Sequence, residues 1–113
     1  MFKKIIAGAA CLVSSLLPVS AADGTMLTSW YGPYFHGRTT ANGETYNQYG
    51  YTAAHKTLPF GTRLEVCYDS CVTVRINDRG PYIGSRELDL SYGAAKAIGL
   101  IHPGVDYVSF TYI

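Results

Sequence analysis

Residues 74–82 read Val-Arg-Ile-Asn-Asp-Arg-Gly-Pro-Tyr, a β-strand pattern that opens into a turn. Val74 and Ile76 alternate with a polar residue, which is the period of two expected for a half-buried strand. The Gly-Pro pair that follows is typical of a turn. Asp78 therefore stands where a strand ends. It is either a turn residue that caps its own backbone or an acid held on a rigid strand for catalysis.

The surrounding chain predicts a mainly β protein. Alternating apolar residues predict strands over 27–31, 62–68, 72–76 and 105–112, with shorter extended segments over 51–54 and 88–90. Ser91 as N-cap and Gly99 as the terminating glycine predict a short helix over 92–98. Short strands, one small helix and many turn residues are typical of a small β-barrel.

Two cysteines lie in the predicted hairpin turn, Cys67 and Cys71. In an oxidising compartment such a pair is expected to form a disulfide. A metal site would need further Cys or His ligands at matching spacing, and a redox motif would be one residue shorter. We therefore predict a disulfide that fixes the hairpin register, and we predict no metal ion and no cofactor.

The N-terminal residues predict a signal peptide. Residues 1–4 include two lysines, residues 5–17 are mostly apolar, and small residues precede a cleavage point after Ala21 or Ala22. The apolar run is shorter than the about 20 residues that span a membrane. Cys11 divides this run, and a lipid-attachment cysteine normally follows a complete apolar segment, so we expect no lipid anchoring.

We therefore predict residues 1–21 to be a signal peptide and residues 22–113 to be one mature domain. The whole chain has 9 Lys and Arg against 8 Asp and Glu, and loss of the two signal-peptide lysines leaves 7 against 8, a net charge of −1. This charge provides no basic field to attract nucleic acid or anionic lipid. We expect a monomer exported to the periplasm or the extracellular space, with no nucleic-acid partner.

Residues 32–50 form a segment too long for an ordinary connection, and long loops in compact domains are often functional. Within it, Asn42 and Glu44 are either a tight turn with a solvated charge or part of a site. His55 is either a structural histidine or a ring that orients a carboxylate. The chain also has 10 Tyr, 4 Phe and 1 Trp, side chains whose faces pack on sugar rings.

Five sequence blocks carry a resemblance to a known family: Ser-Trp-Tyr-Gly (29–32), Phe-His-Gly-Arg-Thr-Thr-Ala-Asn-Gly-Glu (35–44), Thr-Ala-Ala-His-Lys-Thr-Leu-Pro-Phe-Gly-Thr (52–62), Val-Arg-Ile-Asn-Asp-Arg-Gly-Pro (74–81) and Asp-Leu-Ser (89–91). In this order they resemble the rare lipoprotein A family, over nearly all of the predicted mature domain. The resemblance implies a six-stranded double-psi β-barrel with one or two short helices. It also implies periplasmic cleavage of peptidoglycan glycan strands, with a preference for strands that lack stem peptides.

The resemblance also implies a catalytic set, which falls on Glu44, His55 and Asp78. Asp78 would protonate the oxygen between N-acetylmuramic acid and N-acetylglucosamine, then take the muramoyl 6-hydroxyl proton as a 1,6-anhydro ring closes. Glu44 would raise the pKa of that acid or stabilise the oxocarbenium-like charge, and His55 would orient one carboxylate. The residues expected to contact substrate are Trp30, Tyr31, Phe35, Asn42, Arg79 and Tyr82.

Two other functions stay open at this point. Expansins share the barrel and an Asp at a similar place, so the chain could be a non-catalytic module that binds or loosens the cell wall. A secreted inhibitor or a structural barrel is the third alternative. A large separation between Glu44 and Asp78 would favour that third alternative.

Overall fold

The computed structural model describes residues 21–113. Apart from Ala21, the predicted signal peptide lies outside the described residues, and so does Cys11. The strands are β1 (Gly24–Trp30), β2 (Thr52–His55), β3 (Arg63–Cys67), β4 (Cys71–Asp78), β5 (Leu88–Leu90) and β6 (Asp106–Tyr112). The helix α1 (Tyr92–Ile98) joins β5 to β6, and a 3₁₀ turn (Pro33–Phe35) follows β1. Over residues 21–113 the structure has no helix with the length and apolar character that crossing a membrane requires.

The six strands close into a barrel in the order β1-β5-β2-β4-β3-β6. The pairs β1–β5 and β2–β4 are parallel, and the other four pairs are antiparallel. Because every strand has two neighbours, the barrel has no edge strand. The prediction of a mainly β, six-stranded barrel with one or two short helices is confirmed.

The barrel interior is filled by the apolar residues that the alternation predicts. Those that are no more than 2% exposed include Leu64, Val66, Val74, Ile76, Leu88, Leu90, Val108 and, from α1, Ala94, Ala95 and Ile98. Burial of each larger side chain contributes about 1.5–3 kcal/mol. The helix begins and ends as predicted, because the Ser91 hydroxyl accepts from the Ala94 N–H and Gly99 adopts the left-handed conformation.

The predicted disulfide joins the β3–β4 hairpin. Cys67 and Cys71 occupy directly opposed positions of the two strands, with their Cα atoms 4.1 Å apart. The bond therefore lies across the last pair of the ladder, next to the turn, as the sequence predicts.

Two strand boundaries differ from the prediction by more than one residue. β1 begins at Gly24 rather than at residue 27, because its first residues pair with β6 although they carry no apolar alternation. β4 continues past Ile76 to Asp78, because β2 offers a further partner, Ala54, to its end. Asp78 thus belongs to the strand itself and not to the turn that follows.

Candidate active site

The strand register brings four polar or small residues into one row across the barrel wall. Ser29 of β1 lies beside Asp89 of β5, and Asp89 lies beside Ala54 of β2. Ala54 in turn lies beside Asp78 of β4. Since neighbouring strands are about 4.8 Å apart, the two aspartates flank β2 at about twice that backbone spacing. The side chain between them is a single methyl group.

A β-bulge directs Asp78 towards this row. Ala53 pairs with Ile76 and Ala54 pairs with Asp78, so Asn77 is the extra residue of β4. A bulge changes the side-chain alternation of its strand. Ile76 and Asn77 are both buried, and the next side chain, that of Asp78, lines a cleft.

The cleft has a volume of about 140 Å³ and is lined by Tyr31, Phe35, Ala54, Asp78, Arg79 and Asp89. The Tyr31 and Phe35 rings form one wall, with their centroids 5.8 Å apart. The buried Tyr46 ring supports Tyr31 from behind at 4.8 Å. The cleft therefore combines two carboxyl groups with an aromatic wall, against which a sugar ring can pack.

Asp89 is suited to hold a proton. Burial raises the pKa of Asp89 from 3.8 to about 6, and the nearby Asp78 carboxylate adds to this rise. The Ser29 hydroxyl, which donates a hydrogen bond of 2.9 Å to Asp89 Oδ1, and the charge of Arg86 act in the opposite direction. A carboxyl group with a pKa near 6 is protonated in a useful fraction of molecules at neutral pH, as a general acid requires.

Asp78 is arranged as a hydrogen-bond acceptor. Its Oδ2 accepts from the Tyr31 hydroxyl at 3.0 Å, and its Oδ1 accepts from the backbone N–H groups of Ala41 and Arg79, each at 2.9 Å. Burial, followed by the Asp78 charge, holds the pKa of Tyr31 far above its ordinary value, so Tyr31 remains a donor. Three donors suit a carboxylate anion.

Glu44 is tied to β4 by an ion pair and an amide. Its oxygens accept from Arg75 Nη1 at 2.6 Å and Arg75 Nη2 at 2.9 Å, and from Asn77 Nδ2 at 3.1 Å. The hydrogen bonds from Arg75, Asn77 and Asn42 lower the pKa of Glu44 from 4.5 to about 2. Glu44 is therefore a permanent anion that anchors its loop, and it is unsuited to donate a proton.

The anchored loop reaches Asp78. Asn42 uses its side chain within the loop, since its Oδ1 accepts from Thr40 Oγ1 and from the Glu44 N–H, and its Nδ2 donates to Glu44. The same loop presents the Ala41 N–H to Asp78. Glu44 thus acts on Asp78 through the backbone of its own loop.

His55 lies at the end of β2 and organises the turn beyond it. Its Nδ1 accepts from the N–H groups of Thr57 at 3.1 Å and Leu58 at 3.0 Å. Burial lowers the pKa of His55, which favours the neutral ring. The carbonyls of His55 and Leu58 accept from Arg79 Nη1, whose guanidinium lies 3.9 Å from the Phe60 ring centroid. The Arg79 side chain is therefore directed to this turn, along one side of the cleft.

Comparison with known proteins shows the family of the chain. The profile of a family described as "Lytic transglycolase" matches residues 24–110. The chain belongs to this family. It is 59% identical, over 74% of its length, to the probable endolytic peptidoglycan transglycosylase RlpA of Synechocystis sp., and 43% identical, over 96% of its length, to the one of Treponema pallidum. It spans only 27% and 36% of the length of these two relatives.

A solved structure supports the fold. The Streptomyces papain inhibitor superposes with a TM-score of 0.62 at 19% identity, covering 81% of this chain and 96% of the inhibitor. At this identity the likeness concerns the fold alone. The predicted double-psi β-barrel is confirmed.

The cleft brings together four of the residues predicted from sequence, namely Tyr31, Phe35, Asp78 and Arg79. Three others lie around it: Glu44 and Asn42 in the loop that contacts Asp78, and His55 beneath Arg79. The hydrogen bonds of the described residues join His55 to neither carboxylate. Its predicted orienting role therefore has no hydrogen bond to support it.

The last two predicted residues lie away from the cleft lining. Trp30 is half-buried against the core and meets Tyr92 edge to face at 5.7 Å. Tyr82 is 74% exposed, four residues after Asp78. Trp30 therefore supports the surface beside α1, whereas Tyr82 remains free to meet a ligand.

Sequence reasoning did not single out Asp89, which lines the cleft, or its hydrogen-bond partner Ser29 as site residues. A signal was present, because Asp89 stands between Leu88 and Leu90, two core residues of one short strand, and must face the other side of the wall. Nothing local indicates that this side is a cleft shared with Asp78. Among residues 21–113, no cluster of three or more His, Cys, Asp or Glu side chains is placed to hold a metal ion.

Proposed function

We propose that this protein is an endolytic peptidoglycan transglycosylase, a lyase that cuts glycan strands outside the cytoplasm. The observation that carries the proposal is the pair of carboxyl groups across Ala54, of which Asp89 has a pKa near 6 and Asp78 accepts three hydrogen bonds. Membership of the family and the names of the relatives support the same activity.

In the proposed reaction, protonated Asp89 donates its proton to the glycosidic oxygen between N-acetylmuramic acid and N-acetylglucosamine. The bond from C1 to that oxygen breaks, and the positive charge that develops at C1 is stabilised by the Asp78 anion. The Asp89 carboxylate then accepts the proton of the muramoyl 6-hydroxyl, whose oxygen bonds to C1 and closes a 1,6-anhydro ring. The balance needs no water and no cofactor.

This proposal assigns the role of general acid to Asp89, whereas the sequence resemblance implies Asp78. The reason is physical, since burial raises the pKa of Asp89 and a general acid must be protonated near its working pH. Asp78 keeps a catalytic role as the charged partner. Glu44 and His55 become positioning residues, the first through the Ala41 N–H and the second through the turn that binds Arg79.

The substrate would lie against the aromatic wall of Tyr31 and Phe35, with Arg79 and Tyr82 at the edge. We further propose export by the N-terminal signal peptide to the periplasm or the extracellular space, action as a monomer, and a preference for strands that lack stem peptides. These points follow from the sequence pattern and the family resemblance.

A non-catalytic, expansin-like wall-binding module is the second candidate. The observation in its favour is that Glu44 is bonded to Arg75 and His55 to its own turn, so the expected catalytic trio does not meet in the cleft. Such a module would use the same aromatic wall to hold glycan without cutting it.

Digestion of denuded glycan strands, read by mass spectrometry, separates these candidates. The transglycosylase produces ends with 1,6-anhydromuramic acid, and Asp89→Asn and Asp78→Asn lose this product while they still bind strands. Products that incorporate oxygen from labelled water would instead identify a hydrolase. Binding to peptidoglycan with no new chain ends would establish the wall-binding module.

A further inference from the structure

The cleft is too small to hold a glycan strand by itself. Its volume of about 140 Å³ is below the range of about 300–1,000 Å³ that is usual for ligand sites. An enzyme that cuts within a polymer must also hold sugars on either side of the bond that breaks. The rest of the strand therefore needs contacts on the surface outside the cleft.

A second, shallower depression lies beside α1. Its volume is about 520 Å³, and we call it the aromatic shelf, defined by its lining residues Tyr49, Tyr51, Tyr92, Gly93, Lys96 and Ala97. Tyr49 is 67% exposed and Tyr51 is 52% exposed. Exposed neighbouring aromatic rings with polar edges are a feature of binding surfaces, since one end is apolar and the other forms hydrogen bonds.

Two rings of the aromatic shelf, those of Tyr49 and Tyr92, are held by close packing. Tyr92 meets Trp30 edge to face at 5.7 Å and Tyr49 at 6.5 Å. The Gly93 N–H donates to the Gln48 carbonyl at 2.7 Å, and a Cβ at Gly93 would lie 2.7 Å from the Tyr49 carbonyl oxygen. Only glycine permits this approach of α1 to the segment that carries Tyr49. The shelf is thus preorganised, which lowers the entropic cost of binding.

One chain segment contacts both the cleft and the aromatic shelf. Phe35 lines the cleft, and the next residue, His36, contacts the Tyr49 ring at 5.7 Å between centroids. The Nδ1 of His36 also accepts from the Gln48 N–H at 3.1 Å. The segment that supplies Phe35 to the cleft wall therefore also contacts the shelf, through His36.

The aromatic shelf carries a positive charge at its edge. Lys96 is exposed in the last turn of α1, and the salt bridge found among residues 21–113 joins Arg75 to Glu44 and leaves Lys96 free to meet a ligand. Muramic acid carries a lactyl ether, whose carboxylate is free where no peptide is attached. Aromatic rings with one adjacent cation match a strand in which such sugars alternate with neutral ones.

We propose that the aromatic shelf is a second glycan-binding surface of this protein, which holds the strand beyond the cleft with sugar rings on Tyr49 and Tyr51 and a sugar carboxylate on Lys96. This inference rests on the proposed function, because it takes its occupant from the same substrate. It predicts that binding to the shelf affects long strands and leaves short ones unchanged.

Cleavage kinetics on denuded strands of graded length test the proposal. We expect Tyr49→Ala to raise KM for long strands by on the order of tenfold with kcat unchanged, and to leave the shortest cleavable oligosaccharide unaffected. Tyr107→Ala is the matched control, since Tyr107 is 60% exposed on β6. If Tyr49→Ala and Tyr107→Ala have the same KM on long strands, the inference about the shelf is wrong. Cleavage by the unmodified protein would still support the proposed function in that case.

The charge is tested separately. Lys96→Gln should weaken binding to muramic acid-containing strands by about two- to fivefold, as expected for an exposed ion pair, and Lys96→Arg should restore it. Neutral chitooligosaccharides should bind equally to Lys96→Gln and to the unmodified protein, but more weakly to Tyr49→Ala. Loss of binding to both ligands in Lys96→Gln would refute the carboxylate contact. If the unmodified protein binds strands without cutting them, the same comparison still tests the shelf; if it does neither, both proposals fail.

Discussion

Replacement of Asp89 by Asn should stabilise the protein at neutral pH while it abolishes cleavage. The pKa of Asp89 rises from its ordinary 3.8 to about 6 on folding, so the folded state keeps this proton after the unfolded chain has lost it. At about 1.4 kcal/mol for each pH unit, the difference of about two units corresponds to about 3 kcal/mol. Ionised Asp89 therefore opposes folding by up to this amount.

The raised pKa of Asp89 determines the pH range over which stability changes. Below about pH 4, Asp89 is protonated in both states and costs nothing. Between about pH 4 and 6 the unfolded chain binds fewer protons than the folded one, so the free energy of unfolding falls as pH rises. Above about pH 6 the full cost is present. Asn cannot ionise, and it can still accept the hydrogen bond from Ser29, so the variant should lack this decline.

Urea denaturation at pH 4, 6 and 8 measures the effect, with the fluorescence of Trp30, the one tryptophan of the chain, as the signal. We expect Asp89→Asn to match the unmodified protein at pH 4 and to exceed it by up to about 3 kcal/mol at pH 8. Asp106 is the contrasting control. The hydrogen bond from Tyr68 lowers its pKa, so the stability that ionised Asp106 contributes is lost only as pH falls below about 4, and Asp106→Asn should show no gain over the unmodified protein between pH 4 and 8. An Asp89→Asn variant that is no more stable at pH 8, or equally shifted at every pH, would refute the reasoning.

Three further changes test other parts of the site. Ser29→Ala removes the hydrogen bond that favours ionised Asp89. The alkaline limb of the pH–rate profile should therefore move to higher pH by about one unit. If the limb does not move, Asp89 is not the group whose ionisation causes it. Glu44→Gln should reduce kcat/KM by on the order of tenfold by loosening the loop, with stability changed by less than about 1 kcal/mol. Because the pKa of Glu44 is about 2, the alkaline limb of the pH–rate profile of Glu44→Gln should stay in place. Disappearance of that limb would contradict a positioning role for Glu44. Joint replacement of Cys67 and Cys71 by Ser should lower the free energy of unfolding by about 2 kcal/mol and leave kcat unchanged. Denaturation without reductant measures this loss. The unmodified protein should lose the same free energy of unfolding when its disulfide is reduced.

The strands were predictable wherever one face is buried. Leu64 and Val66, or Leu88 and Leu90, alternate because the barrel interior admits apolar side chains on one face alone. The first residues of β1 carry no such alternation, since a β6 partner far along the chain keeps them in the sheet. The extension of β4 to Asp78 likewise depends on Ala54, which no local pattern reveals.

The same distinction explains the candidate site. Asp78 was found from its place at a strand end, and the aromatic wall from the family blocks. Asp89 was missed because its chemistry arises from which strands flank β2, a matter of long-range register. The ion pair between Glu44 and Arg75 joins residues 31 positions apart, so a sequence pattern shows two charges and not that they neutralise each other.

In the row formed by Asp89, Ala54 and Asp78, the backbone spacing of the acids and the shape of the surrounding surface depend on different parts of the chain. The backbone spacing of the two aspartates is set by the width of β2 and the closure of the barrel. The segment of residues 32–50, by contrast, contributes Phe35 to the cleft wall and Tyr49 to the aromatic shelf. Descendants of this barrel can therefore exchange that segment, and acquire new preferences for their polymer, while they inherit the backbone spacing of the two acids unchanged.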